Sequence, residues 1–253
     1  MFTARVFGFR ITVEAGFLFL FCLIFLSGFQ IASILNLPFL FTLFIASGIE
    51  FGFLSSLLMH EAMHLVVARK YGHEGRKIFL LLFGAAGIIE KKFKEPKEEF
   101  FIALAGPLTS LTLGGIFLGT CFVLDGLYAA GRLSDVFVLE LIAFFCQVFG
   151  ILNSILGVFN LLPAYPTDGG RILNSFFWKF YGEEKGLRYS LVVGNVFSFL
   201  FIGAGVLSFS YGRWSGLWYI LLGTWLFFQQ QSIKESSSLP PDSPDADSTW
   251  PHE

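Results

Sequence analysis

Charge is what this chain of 253 residues has least of. Asp, Glu, Lys and Arg together make up 14% of it, against about 25% in a soluble domain. So few charges do not cover the surface of a water-soluble fold, and several membrane spans are expected. With 55% hydrophobic residues and 34 Phe, the chain is not disordered either, apart from its last segment. A basic excess is also missing: the net charge of −2 and pI near 6.1 leave no field for nucleic acid. Cysteine is scarce. Cys22, Cys121 and Cys146 stand far apart in apolar runs without CxxC spacing, which excludes a disulfide scaffold and a cysteine-rich zinc site. Each reads as a small buried apolar residue.

What is present is a series of long apolar runs. Ala15–Leu35 carries no charge over 21 residues, enough to cross a bilayer core of about 30 Å. Phe39–Ala68, Phe100–Leu124, Val136–Leu162 and Leu191–Phe209 follow, and Trp214–Phe228 is a shorter sixth flanked by aromatics. The expected fold is therefore an all-α polytopic membrane protein of about six helices. The first run is too long for the core of a cleavable signal peptide and reads as a signal anchor.

The bases set the orientation. Arg5 and Arg10 precede the first span. Arg69, Lys70, Arg76, Lys77, Lys91, Lys92, Lys94 and Lys97 lie between the second and third. Arg171, Lys179, Lys185 and Arg188 lie between the fourth and fifth, and Lys234 follows the sixth. The opposite side has Arg132 and Arg213 alone. This asymmetry puts both termini in the cytoplasm of a multi-pass plasma (inner) membrane protein.

Ile78–Ile89 is apolar but only 12 residues long, too short to span. Gly84 and Gly87 disfavour a helix there. The segment reads as a re-entrant hairpin between spans two and three, tolerated at depth only where protein or a wet cavity surrounds it. Residues 1–231 are expected to form one multi-span domain with a catalytic core at about 39–171. Residues 232–253, rich in Ser, Pro and Asp, are expected to form a disordered cytoplasmic tail.

The chemistry begins at the end of the second run, with Met59-His60-Glu61-Ala62-Met63-His64. In H-E-x-x-H on a helix, both imidazoles share one face and can hold a single Zn²⁺, with the glutamate placed as general base. His60 stands about 12 Å from the run's end at Ala68. Ionisable groups at that depth default to a functional reading.

A catalytic zinc takes a third protein ligand. Val67 and Lys70 exclude the pattern that continues H-x-x-G-x-x-H. His73 reads as a solvated loop residue, and His252 is in the tail. The better candidate is Asp168, in Asn160-Leu161-Leu162-Pro163-Ala164-Tyr165-Pro166-Thr167-Asp168-Gly169-Gly170-Arg171. Pro163 and Pro166 stop the fourth helix, and Gly169 and Gly170 permit unusual turns. A turn-capping Asp before Gly is the competing reading. Glu50 lies on nearly the same helix face as Glu61. It can line a polar cavity or pair with Asn153 or Gln147. Gly115 and Gly119 form a G-x-x-x-G read as helix packing.

The pair H-E-x-x-H (His60–His64) and N-x-x-P-x-x-x-x-D-G (Asn160–Gly169) resembles the site-2 protease family of intramembrane zinc metalloproteases. Ala105-Gly106-Pro107 resembles that family's A-G-P segment on the third span. The resemblance runs from about Phe53 to Arg171. It implies His60, His64 and Asp168 as zinc ligands, Glu61 as catalytic base and Asn160 as a polar group near the scissile carbonyl. Gly84-Ala85-Ala86-Gly87 replaces the paired glycines usual in the family's hairpin, and Ser110 stands where Asn is common. Neither departure is expected to touch the metal site, though both can alter substrate docking. With no room for a PDZ or CBS domain, the chain looks like the short, sporulation-type form that processes a membrane-associated pro-sigma factor.

The expected function is hydrolysis of a membrane-embedded or membrane-associated protein near the cytoplasmic face, in regulated intramembrane proteolysis. The expected partners are the lipid bilayer and a substrate such as a membrane-tethered transcription factor or its inhibitor. The competing readings are a protease for loops or soluble segments, a transporter with a coincidental motif, and an inactive scaffold.

Overall fold

The computed structural model describes residues 2–6, 9–34, 36–73, 77–81, 84–88, 93–133 and 137–238. The chain divides into two compact units: Met1–Lys92 with Leu104–Phe159, and Phe93–Ala103 with Asn160–Glu253.

The first unit opens with two strands that composition did not reveal, β1 (Phe2–Val6) and β2 (Phe9–Val13). They pair antiparallel, with Arg5 opposite Arg10. Helix α1 (Ala15–Ser33) follows, then α2 (Phe39–Lys70). The expected hairpin is present as β3 (Lys77–Leu81) and β4 (Gly84–Ile88), antiparallel to one another. It is not isolated. β3 pairs parallel with β2, so among the described residues the sheet runs β1-β2-β3-β4 with β4 terminal. Ile11, Ile78 and Leu80 from this sheet pack on Phe17, Leu57 and Leu65, and β4 also lies against α2.

Helix α2 has 32 residues, about 48 Å at 1.5 Å each, longer than the hydrocarbon core. Its buried positions are Thr42, Ile45, Ala46, Ile49, Glu50, Ser56, Leu57, His60, Glu61, His64, Leu65 and Ala68. Three-and-four spacing on either side of the step from Glu50 to Ser56 keeps these positions on one face. Phe39, Phe44, Phe51 and Met59 lie exposed, as lipid permits. The usual order is thus inverted, with the ionisable groups inside.

Two more helices complete this unit: most of α3 (Pro96–Ala129) and α4 (Phe137–Asn160). Small residues set their register. A Cβ on Gly48 would meet the Phe145 ring at 2.7 Å, and one on Gly52 would overlap Phe149. Asn153 Nδ2 donates to Ser56 Oγ at 2.9 Å. The two numberings rise together, so α2 and α4 run parallel. Gly114 faces Ser154 and Gly157 faces Leu111, so α3 runs antiparallel to α4. The expected Gly115/Gly119 packing is not what the structure uses. Both positions face open space, and Gly106 and Gly114 make the close approaches.

In the second unit, α5 (Asp168–Tyr181), α6 (Glu183–Ser210) and α7 (Gly216–Ser238) follow one another. Gly182, with φ at 87°, turns the chain between α5 and α6. α6 and α7 pack as an antiparallel pair. Gly205 faces Gly216 and Ile220, Gly223 faces Ser198 and Ile202, and Gly194 faces Gln230. Gln230 Nε2 also donates to Ser198 Oγ at 3.2 Å.

Among the described residues, α1, α2, α3, α4 and α6 are long and apolar enough to cross a membrane. The sixth expected span, α7, is a continuous helix but falls outside that group. Gln229, Gln230 and Gln231 occupy its second half. α7 also takes in residues 232–238, the start of the expected tail; the rest of that tail lies outside the described residues, as does His252.

Candidate metal centre

His60, Glu61 and His64 occupy successive positions of the buried stripe on α2. They are 1%, 8% and 4% exposed. The His60 and His64 rings lie 5.0 Å apart between centroids, edge to face, as one helical turn requires. Two features of α3 prepare the pair. The Nδ1 of His60 lies 2.8 Å from Ser110 Oγ, itself fully buried. With Nδ1–H donating to that oxygen, the acceptor lone pair of the ring lies on Nε2, the arrangement a metal-ligating histidine needs. Gly106 supplies the second. A Cβ there would overlap His64 Nε2 and come within 2.6 Å of His60 Nε2. Both Nε2 atoms therefore converge on the space that the missing side chain leaves. Two imidazole nitrogens facing a common space are the nitrogen donors that a Zn²⁺ ion fits.

Ser110 corrects an expectation. Its departure from the family's usual Asn was placed away from the metal site, yet it touches His60 directly. The signal was present in the spacing. Positions 106 and 110 are one turn apart on α3, as 60 and 64 are on α2, and antiparallel packing sets them opposite each other.

In the second unit, α4 ends at Asn160 and the chain bends through Leu161–Thr167 into α5. The Tyr165–Pro166 bond is cis. Thr167 precedes the first helical residue and turns its hydroxyl back, donating to the Leu162 and Ala164 carbonyls at 2.6 and 2.7 Å. Asp168 is the first residue of α5, 7% exposed, with its Oδ1 3.6 Å from Arg171 Nη1. Gly169 and Gly170 do not make the unusual turn expected of them; both are helical. Their role is close approach. A Cβ on Gly169 would overlap the Leu161 and Leu162 carbonyls, and one on Gly170 would meet the Tyr165 nitrogen at 2.6 Å. Tyr165 is half-buried, but its phenol end is enclosed. Burial first, then the neighbouring Glu99 charge, push that phenol above its ordinary range, so it remains a hydrogen-bond donor.

Other candidates fall elsewhere. Asn153 does not use its amide on Glu50; it donates to Ser56 and to the Phe149 carbonyl. Glu50 is 4% exposed, and its Oε2 has no partner among the described residues. Gln147 is exposed. His73 is buried rather than solvated, because Gly72, with φ at 80°, folds the chain back so that His73 N–H caps the Ala68 carbonyl at 3.1 Å. The three cysteines are free, with Cys146 buried and Cys22 exposed on α1.

An H-E-x-x-H pair buried within a candidate span, with its nitrogens aimed into one space, defines the class of a polytopic membrane protein with a candidate metal centre. The comparisons narrow that class. Residues 49–203 match the model of peptidase family M50, and the chain belongs to this family, that of the site-2 proteases. It is 34% identical over 176 residues to the putative zinc metalloprotease Rip3 of Mycobacterium tuberculosis, over 69% of this chain and 42% of that protein. It is 32% identical over 152 residues to stage IV sporulation protein FB of Bacillus subtilis, over 60% of this chain and 47% of that protein. The chain thus spans less than half the length of these curated relatives. A solved site-2 protease from Methanocaldococcus jannaschii superposes with a TM-score of 0.57 at 25% identity, covering 96% of this chain and 99% of that one. Zinc is accordingly the metal that membership of this family implies.

Proposed function

We propose that this chain is an intramembrane zinc metalloendopeptidase that hydrolyses a peptide bond of a membrane-embedded or membrane-associated protein. The observation that carries the reading is the Gly106 space onto which His60 Nε2 and His64 Nε2 converge. Asp168 is proposed as the third ligand. It is a buried carboxylate at the start of a helix, in the N-x-x-P-x-x-x-x-D-G pattern. Bound Zn²⁺ would supply an acidified water and polarise the scissile carbonyl. Glu61 accepts the proton of the attacking water and passes it to the leaving amide nitrogen, so one water is consumed per bond cleaved. Asn160, the last residue of α4, is proposed to donate a hydrogen bond to the carbonyl oxygen as charge develops there.

A helical substrate has its carbonyls already bonded, so it must present unwound backbone. The terminal strand β4, packed against α2, offers a ladder edge to an extended segment. Leu81→Pro tests this. Leu81 faces Gly84 at the closed end of the hairpin, and proline removes its ladder donor. Zinc content should stay at the wild-type level while cleavage falls about tenfold or more, because strand-addition binding relies on main-chain hydrogen bonds. Normal turnover would remove the idea.

The base asymmetry supports cytoplasmic termini and an active site near the cytoplasmic face, in an inner or plasma membrane. The substrate class proposed is a membrane-tethered transcription factor or its inhibitor, in regulated intramembrane proteolysis. The proposal as a whole is tested with the purified chain in lipid and a single-span substrate. Cleavage should stop on chelation, return with Zn²⁺, and be competed by a transmembrane peptide. Competition by soluble loop peptides instead would favour the alternative, a membrane protease for exposed segments. Asp168→Ala should lower zinc occupancy; full occupancy would sink its ligand role alone.

A further inference from the structure

A buried polar cluster surrounds the start of α5, and the reaction above does not use it. Glu99, in the first turn of α3, is 5% exposed, and Asn174 of α5 is 7% exposed. The Glu99 carboxylate accepts from Asn174 Nδ2 at 2.8 Å and lies beside the Tyr165 phenol. Asn174 Oδ1 has no partner among the described residues. The amide is therefore oriented by its bond to Glu99 at the expense of its own acceptor. The guanidinium of Arg171 lies close enough to Glu99 to attract it. It also stands 3.6 Å from Asp168 Oδ1 and 5.7 Å over the Phe93 ring. One carboxylate thus holds a residue three before Asp168, a residue six after it, and the cation that pairs with it. Close packing at Gly169 and Gly170 fixes where α5 begins. It does not fix the direction of the Asp168 side chain.

We propose that Glu99 is a positioning residue: through Tyr165, Asn174 and Arg171 it holds the Asp168 carboxylate in one orientation for the metal. This rests on the reading of Asp168 as a zinc ligand. Partners that orient a ligand change metal affinity about 10–100-fold without touching the metal.

The test measures zinc dissociation constants by chelator competition, and thermal unfolding with and without zinc, on the full chain in detergent. Tyr165→Phe removes one oxygen and Glu99→Gln one charge; Glu99→Ala removes the whole clamp. Zinc binding is expected to weaken about tenfold in the first two and towards 100-fold in the third. The zinc-induced rise in Tm should shrink while the zinc-free Tm stays near wild type. In an Asp168→Ala background the same substitutions should change zinc affinity no further. If Glu99→Ala does not fold, Tyr165→Phe and Glu99→Gln decide alone. Wild-type zinc affinity in these variants, with Asp168→Ala itself weakened, overturns the proposal and leaves the ligand reading intact. A loss of equal size in the Asp168→Ala background also overturns it, because the cluster would then act on the fold. Wild-type affinity in Asp168→Ala itself removes the ligand reading, and this proposal with it.

Discussion

Glu61→Gln should leave zinc occupancy at the wild-type level and lower cleavage about 10³-fold, within the range of 10²–10⁴ that a positioned acid–base group contributes. Gln keeps the size of Glu and its place in the buried stripe, so the packing around His60 and His64 is preserved. It loses the one property the reaction needs, a carboxylate oxygen that can accept the proton of the attacking water. The two readouts move apart only for a catalytic base. A structural Glu61 would lose zinc and turnover together. A transporter with a coincidental motif would keep its activity. The measurement is zinc per chain by mass spectrometry, alongside initial rates on a reconstituted membrane substrate. Full activity in Glu61→Gln would sink the hydrolytic reading.

The parts of this molecule legible in the sequence are those whose signal is local. A run of apolar residues reports a span because length and hydropathy alone decide it. Five of the six expected runs coincide with helices long and apolar enough to cross. His60, Glu61 and His64 were legible because their relative placement follows from helical pitch alone. The strands β1 and β2 were not. Each has five residues, and the partner of β2 in the sheet, β3, lies more than sixty residues further on. Neighbours across helices were equally out of reach. Spacing marks Gly115 and Gly119 as a pair, but only the antiparallel register of α3 reveals that they face open space. The same register brings Ser110 to His60. Gly169 and Gly170 were recognised as special for the wrong reason, since a glycine admitted for close approach looks in sequence like one admitted for a turn.

Gly106→Ala should abolish tight zinc binding, with affinity falling about 100-fold or more, the scale on which a misplacement near 1 Å acts. The argument is steric. Ordinary contact with a Cβ begins near 3.4 Å, whereas His60 Nε2 would stand 2.6 Å away and His64 Nε2 nearer still. Neither ring has an easy retreat. His60 is fixed on its other side by Ser110, and both residues are buried in the stripe of α2. One methyl group would therefore displace both proposed ligands at once, and cleavage would fall with the metal. Gly115→Ala is the matched control. It lies on the same helix nine residues on, with nothing within 4 Å of an added Cβ. It should retain zinc and activity, and by propensity should stabilise α3 by up to about 1 kcal/mol. The zinc-free Tm separates local from global damage in Gly106→Ala: a drop of a few degrees with zinc affinity lost fits displaced ligands, and wild-type zinc affinity would mean that the imidazoles do not meet beside Gly106.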